Sequence, residues 1–349
     1  MSLRVLLITP PFTQLNTPYP ATMYLKGYLN TKGIWSRQAD LGIEVIHQLF
    51  SKEVLTEVFR IVGSQVDTLD DNLQRIYTLR ETYLDTISMV MSFLSHKQLT
   101  LAHQICSRSF LPEASRFEHA NMLDDMFGEL GIIDKAKYLA TMYLEDLGDL
   151  ITTCVDPYFG FNKYGASIAS AASSFDPLCD AVKAPNSIIS DLTITTLESH
   201  LKAANPDLVC ITVPFPGNLF GALKCAQYIK QQYPHVKTCM GGGYVNTELR
   251  TVTDERFFEW IDYVSLDDGE APLSALLDYM DNNRSSSELK RMFIKEHGVV
   301  QYKNGAAEKD IAQRDTGTPD YSDLYLDRYL SILEVTNPMH RLWSDGRWN

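Results

Sequence analysis

No CxxC, CxxxCxxC or other close cysteine spacing occurs in this 349-residue chain. Its six cysteines, Cys106, Cys154, Cys179, Cys210, Cys225 and Cys239, lie at least 14 positions apart. That excludes a zinc ribbon, a thioredoxin-like site and a locally ligated iron–sulfur cluster, and a disulfide framework is not expected. Cys210 and Cys239 lie in or just after apolar runs and read as packed thiols. Basic charge is also scarce: 31 Lys and Arg face 44 Asp and Glu, a formal charge of −13. A nucleic-acid binder needs a basic footprint, and an anionic membrane surface repels such a balance. No apolar run approaches the roughly 20 residues of a spanning helix. The opening Leu3–Ile8 is too short for a secretory signal and has no small-residue cleavage site, so the expected location is the cytoplasm. GxGxxG after the first strand, GxxxxGKS/T, HExxH and GxSxG are absent too. The eight histidines are dispersed, and His47 reads as a helix surface or cap residue.

With 45% apolar residues the chain can bury one or two sizeable cores. Leu3–Ile8 is a continuous apolar run, the mark of a strand covered on both faces, and Thr9-Pro10-Pro11 ends it. Helical spacing over 21–32 stops at Gly33, and 34–40 is a second strand. The alternation resumes with a helix over 187–204, a strand over 208–213, a helix over 219–233 and a strand over 236–240. A strand over 262–266 and a helix over 270–280 follow. Five short strands separated by helices predict an α/β fold: a Rossmann-like (flavodoxin-like) five-stranded parallel sheet, doubly wound, over 1–42 and 187–281.

Residues 43–186 interrupt the sheet between its second and third strands. Apolar positions three and four apart predict one long amphipathic helix over 69–94, and further helices over 99–110, 113–130 and 134–151, with Pro112 and Gly131 as breaks. This is an expected all-helical insertion. Residues 282–318 read as a hairpin and linker, with a strand at 298–303 entering a turn at Asn304-Gly305. Residues 319–349 carry apolar anchors but complete no domain.

Ligands of open parallel sheets sit outside the carboxyl ends of the strands. Four loops lie there: Thr9-Pro10-Pro11-Phe12, Pro214-Phe215-Pro216-Gly217-Asn218, Gly241-Gly242-Gly243-Tyr244 and Asp267-Asp268-Gly269-Glu270. The glycine triplet admits a bulky ligand to the backbone, or serves a turn that needs positive φ. The acidic group holds a metal or caps the helix behind it.

Taken together, Pro206–Asn218, Gly241–Leu249 and Asp262–Val264 with Asp267–Glu270 resemble the cobalamin-binding-domain radical S-adenosylmethionine proteins, in a subgroup with a helical insertion. Asp156–Tyr164 is similar to a segment of that insertion. Pro319–Leu324 and Asn337–Trp348 are similar to the approach to the radical domain, so the resemblance covers almost the whole chain. It implies that cobalamin lies over the strand ends, its nucleotide tail beside Gly241–Gly243, held by the four loops at Thr9, Pro10, Pro11, Phe12, Pro214, Phe215, Gly217, Asn218, Gly241, Gly242, Gly243, Tyr244, Asp267, Asp268, Gly269 and Glu270. In the family a CxxxCxxC motif, which holds a 4Fe–4S cluster and S-adenosylmethionine, follows a segment like Trp343–Trp348. The sequence ends at Asn349, so it reads as the N-terminal part of a longer enzyme, inactive alone. Its partners would be the radical domain of the same polypeptide and a small-molecule or peptide substrate. Where methionine-synthase-type domains carry DxHxxG, Thr9–Gln14 stands here, so a histidine lower ligand is not expected. On this reading Gly242→Val abolishes cobalamin uptake and spares the fold.

Two other readings stand beside it. One is a cofactor-free scaffold whose insertion docks a substrate or protein. The other, a flavin or nucleotide binder, lacks a phosphate loop after the first strand.

Overall fold

The structure, a computed structural model, describes residues 3–118, 131–170 and 174–332. The chain divides into two compact units. One comprises Met1–Gln14, Pro18–Val45 and Gly160–Leu324; the other comprises Leu15–Thr17, Ile46–Phe159 and Tyr325–Asn349.

Among the described residues, nine strands are formed: β1 (Val5–Thr9), β2 (Ser36–Asp40), β3 (Phe159–Gly160), β4 (Lys163–Tyr164), β5 (Leu208–Thr212), β6 (Lys237–Gly241), β7 (Tyr263–Ser265), β8 (Met292–Glu296) and β9 (Val299–Lys303). The first unit is α/β. Its mostly parallel sheet has the order β2-β1-β5-β6-β7-β8-β9. Strands β2, β1, β5, β6 and β7 are parallel, whereas β8 and β9 run antiparallel beyond β7. The chain leaves β1 for β2 on one side and returns to β5 on the other, which makes β1 the point where strand order reverses.

The sheet therefore has seven strands, not the five expected. Its extra pair turns at His297-Gly298, with φ of 51° and 80°, the double positive φ that a two-residue hairpin loop demands. The expected turn at Asn304-Gly305 lies after β9. There the Asn304 side chain accepts from the Arg291 backbone N–H at 3.2 Å, and Gly305 packs against the Ser287 carbonyl.

On one face of the sheet Val5, Leu7, Leu208, Cys239 and Tyr263 pack with Leu29 of helix Ala21–Thr31 and with Leu273, Leu276 and Leu277 of helix Glu270–Met280. Strand alternation puts the buried Leu6, Ile8, Val209, Ile211 and Met240 on the other face. Helices Ile188–Ala204 and Pro216–Gln232 pack on one another, and the first of them on β1. Asn205, with φ of 43°, ends the first of these helices in the left-handed conformation.

The second unit is helical. The predicted long helix is two, Asp71–Thr78 and Arg80–Leu94, separated at Leu79, where ψ is 5°. In place of a helix over 99–110 there is a short turn and the single helix Ala102–Cys106. The predicted helix 113–130 lies largely outside the described residues. Gly131–Cys154 is continuous, its Tyr143 ring 4.9 Å from that of Tyr83. The stretch 43–186 is not all helical, because β3 and β4 pair within it. Of the terminal anchors, Leu330 is fully buried and its N–H donates to the Leu15 carbonyl at 2.7 Å. Residues 333–349 lie outside the described residues. Among the described residues, no helix is long and apolar enough to cross a membrane.

Candidate functional site

The face of the sheet under helices Ala21–Thr31 and Glu270–Met280 thins toward its carboxyl end. Along β5, Leu208 is followed two and four positions later by Cys210 and Thr212; along β6, Cys239 by Gly241; along β7, Tyr263 by Ser265. Because alternate residues share a face, each strand presents a smaller side chain as it leaves the core. The result is a slot of about 320 Å³ between sheet and helices, lined by Leu7, Cys210, Thr212, Cys239, Gly241 and Ser265 on the sheet side. Leu25 and Leu273 close it from the helices, and Tyr19, Tyr24 and Asp267–Glu270 form its remaining wall. Thr212 is buried, and among the described residues its hydroxyl has no hydrogen-bond partner. A buried hydroxyl without a partner is costly, which suits it to a ligand's polar atom.

A second, wider cavity of about 910 Å³ opens across the glycine loop. Pro214, Phe215, Gly243 and Tyr244 line it, with Phe257 and Leu178 contributing apolar surface. Phe215 is 48% exposed and meets Tyr19 edge-on at 5.9 Å. The Tyr244 hydroxyl donates to the Ala169 carbonyl at 3.1 Å, and burial raises its pKa.

The three glycines have separate roles. Gly242 has φ of 119°, and a Cβ there would lie 2.7 Å from the Val213 carbonyl oxygen. A Cβ on Gly243 would stand 3.0 Å from the Pro214 carbonyl oxygen. These two let the end of β6 lie against the β5 loop. Gly241 alone has room, with no atom nearer than 3.6 Å to a built Cβ, and it lines the slot. The expectation that Gly242→Val spares the fold is therefore corrected: that position is spoken for by backbone packing.

Of the residues expected at the site, Gly241, Gly242, Asp267, Asp268, Gly269 and Glu270 line the slot, and Pro214, Phe215, Gly243 and Tyr244 line the wider cavity. Thr9, Pro10, Pro11, Phe12, Gly217 and Asn218 line neither and are all buried. Asn218 donates its amide to the carbonyls of Pro10 and Phe12 at 3.1 and 2.9 Å, tying the β1 loop to helix Pro216–Gln232. The Phe12 ring packs on Tyr164 at 5.8 Å.

Asp267 is held by Arg250 at 2.6 Å, and this bond draws its carboxyl below the ordinary range. Its backbone N–H, at φ of 63°, donates to the Asn246 side chain at 2.7 Å. Glu270 opens helix Glu270–Met280, where its charge complements the helix N-terminus. Among the described residues, no three His, Cys, Asp or Glu side chains are grouped to hold a metal ion.

Sequence reasoning missed Thr212, Ser265 and both thiols of the slot. Cys210 and Cys239 read as plain core residues because their runs are apolar. The available signal was the small residue at every second position before each strand's end. No family model, curated protein or solved structure matches this chain.

Proposed function

We propose that the chain is the cobalamin-binding region of a radical S-adenosylmethionine enzyme, its Rossmann-like (flavodoxin-like), doubly wound sheet presenting the cofactor at the carboxyl ends of the strands. The observation that carries this reading is the slot beside the reversal of strand order, a place where α/β sheets take ligands. Its residues fit the nucleotide tail of such a cofactor. Leu7, Leu25 and Leu273 offer apolar walls to a flat base, Gly241 offers close backbone approach, and the Thr212 hydroxyl offers an unspent hydrogen bond. Phe215 and Tyr244, beyond the glycine loop, offer aromatic surface to the corrin.

Bound there, cobalamin would supply a cobalt centre for methyl transfer, with the radical coming from the 4Fe–4S cluster and S-adenosylmethionine of the parent. The share of this chain is to bind and orient. Its partners on this reading are the radical domain of the same polypeptide and a small-molecule or peptide substrate. We place it in the cytoplasm, where its six free cysteines stay reduced. The second reading, a cofactor-free scaffold, draws on the packing that already accounts for Gly242 and Asn218.

Titration with hydroxocobalamin followed by desalting tests the proposal. One equivalent of retained, spectrally shifted corrin is expected, and Gly241→Leu, which fills the slot, should abolish it. Loss of all colour on desalting, or equal retention by the variant, rejects the slot as the cofactor's place.

A further inference from the structure

Cys210 and Cys239 are register partners on the parallel strands β5 and β6, so their side chains stand next to each other on one face of the sheet. Both line the slot; Cys239 is buried and Cys210 partly exposed. Adjacent strands lie about 4.8 Å apart, inside the roughly 4.4–6.8 Å Cα separation that a bridge between two cysteine sulfurs spans. We infer that Cys210 and Cys239 form a dithiol site for a soft thiophile that makes two bonds to sulfur, of which a trivalent organoarsenical is the simplest class.

The reaction is a condensation. Both thiols lose their protons, two arsenic–sulfur bonds form, and the arsenic oxygen departs as water with no change of oxidation state. The slot supplies the room, and Leu7, Leu25 and Leu273 give an aryl substituent apolar surface. The Cys239 thiol and burial together hold the Cys210 thiol protonated, its pKa well above the ordinary value. Thiolate-seeking alkylators should therefore react slowly at Cys210, while a reagent that condenses with paired thiols is favoured. This site stands on the two thiols and the slot, whatever else the slot holds.

The test is titration of the full chain with phenylarsine oxide, read by intact mass and free-thiol count. One aryl-arsenic per chain, with two thiols lost, is expected. The adduct should survive excess glutathione and be removed by dimercaptopropanol. Cys210→Ala and Cys239→Ala should each shorten its lifetime at least about 100-fold, the loss expected when a two-point attachment becomes one. Cys225→Ala should leave it unchanged. Near-ultraviolet circular dichroism checks that the variants are folded, and Cys210→Ala, at the partly exposed position, decides alone if Cys239→Ala is not. Failure of the native chain to form the adduct, or its survival in folded Cys210→Ala, overturns the inference.

Discussion

A methyl group on Gly242 would stand 2.7 Å from the carbonyl oxygen of Val213, whereas one on Gly241 would meet nothing nearer than 3.6 Å. Two adjacent glycines at the end of one strand thus serve opposite needs. At Gly242 the positive φ and the backbone contact act together, so Gly242→Ala should cost about 2 kcal/mol or more. Gly241→Ala should cost less than about 1 kcal/mol. Denaturant unfolding of both variants checks this, and equal losses would refute it.

Thr212 offers a rarer combination, a substitution that should raise stability while removing function. Among the described residues its buried hydroxyl has no partner, so the near-isosteric Thr212→Val should stabilise the free chain by about 1 kcal/mol. The same change should weaken cobalamin retention if the hydroxyl meets the cofactor. The midpoint of thermal unfolding and the retained corrin, measured side by side, report both effects.

Asp146 sets a pH dependence in the helical unit. It is fully buried, accepting from the Tyr83 hydroxyl at 3.0 Å and from Arg116 Nε at 3.3 Å. Burial outweighs these bonds and pushes the carboxyl from an ordinary 3.8 up to about 6. The folded chain keeps a proton that the unfolded chain has already released. Its contribution to stability is therefore full below pH 3.8 and is lost as pH rises through about 6. A shift of this size corresponds to about 3 kcal/mol. The difference in unfolding free energy between the native chain and Asp146→Asn should fall by about that amount across this window and stay level above it. A flat difference would refute it.

Lys26 is 5% exposed, and its ammonium binds Asp323, the Ser322 hydroxyl at 2.6 Å and the Ser322 carbonyl at 3.3 Å. Gln38 of β2 adds bonds to the carbonyls of Asp320 and Ser322, and Gly27 lies directly against the Thr318 carbonyl. Segment 316–323 is thus fastened to helix Ala21–Thr31. Lys26→Met should cost about 1.5–3 kcal/mol, the range for hydrogen bonds to a charged group. Limited proteolysis should then cut first within 316–324; cutting elsewhere at an unchanged rate would count against the anchor.

Strands β1 and β5 were readable because each is a nearly continuous apolar run closed by Pro, whereas β2, Ser-Arg-Gln-Ala-Asp, has no such run and was placed by the helix and Gly33 before it. The hairpin was half readable. Val299–Lys303 alternates as a strand should, yet Asn304-Gly305 drew the turn to the wrong end, since His297-Gly298 gives no comparable dipeptide signal. The loops at the strand ends were found, but not their division of labour. Whether Gly242 faces a ligand or Val213 is a tertiary fact, and so is the burial of Asn218 beneath the β1 loop. The slot escaped notice for the same reason: it depends on four strands, β1, β5, β6 and β7, lying side by side, and Cys210 and Cys239 are neighbours only in the sheet.

The thinning of the sheet face has a consequence for selectivity. Slot depth is gauged by Cys210, Thr212, Cys239, Gly241 and Ser265, alternate positions on strands that the core holds in register. Substitution at these strand positions changes the depth by single carbon atoms without altering a loop. On the proposed reading, the size of ligand admitted is thus a setting carried by the strands, adjustable in fine increments and independent of whatever the loops above come to recognise.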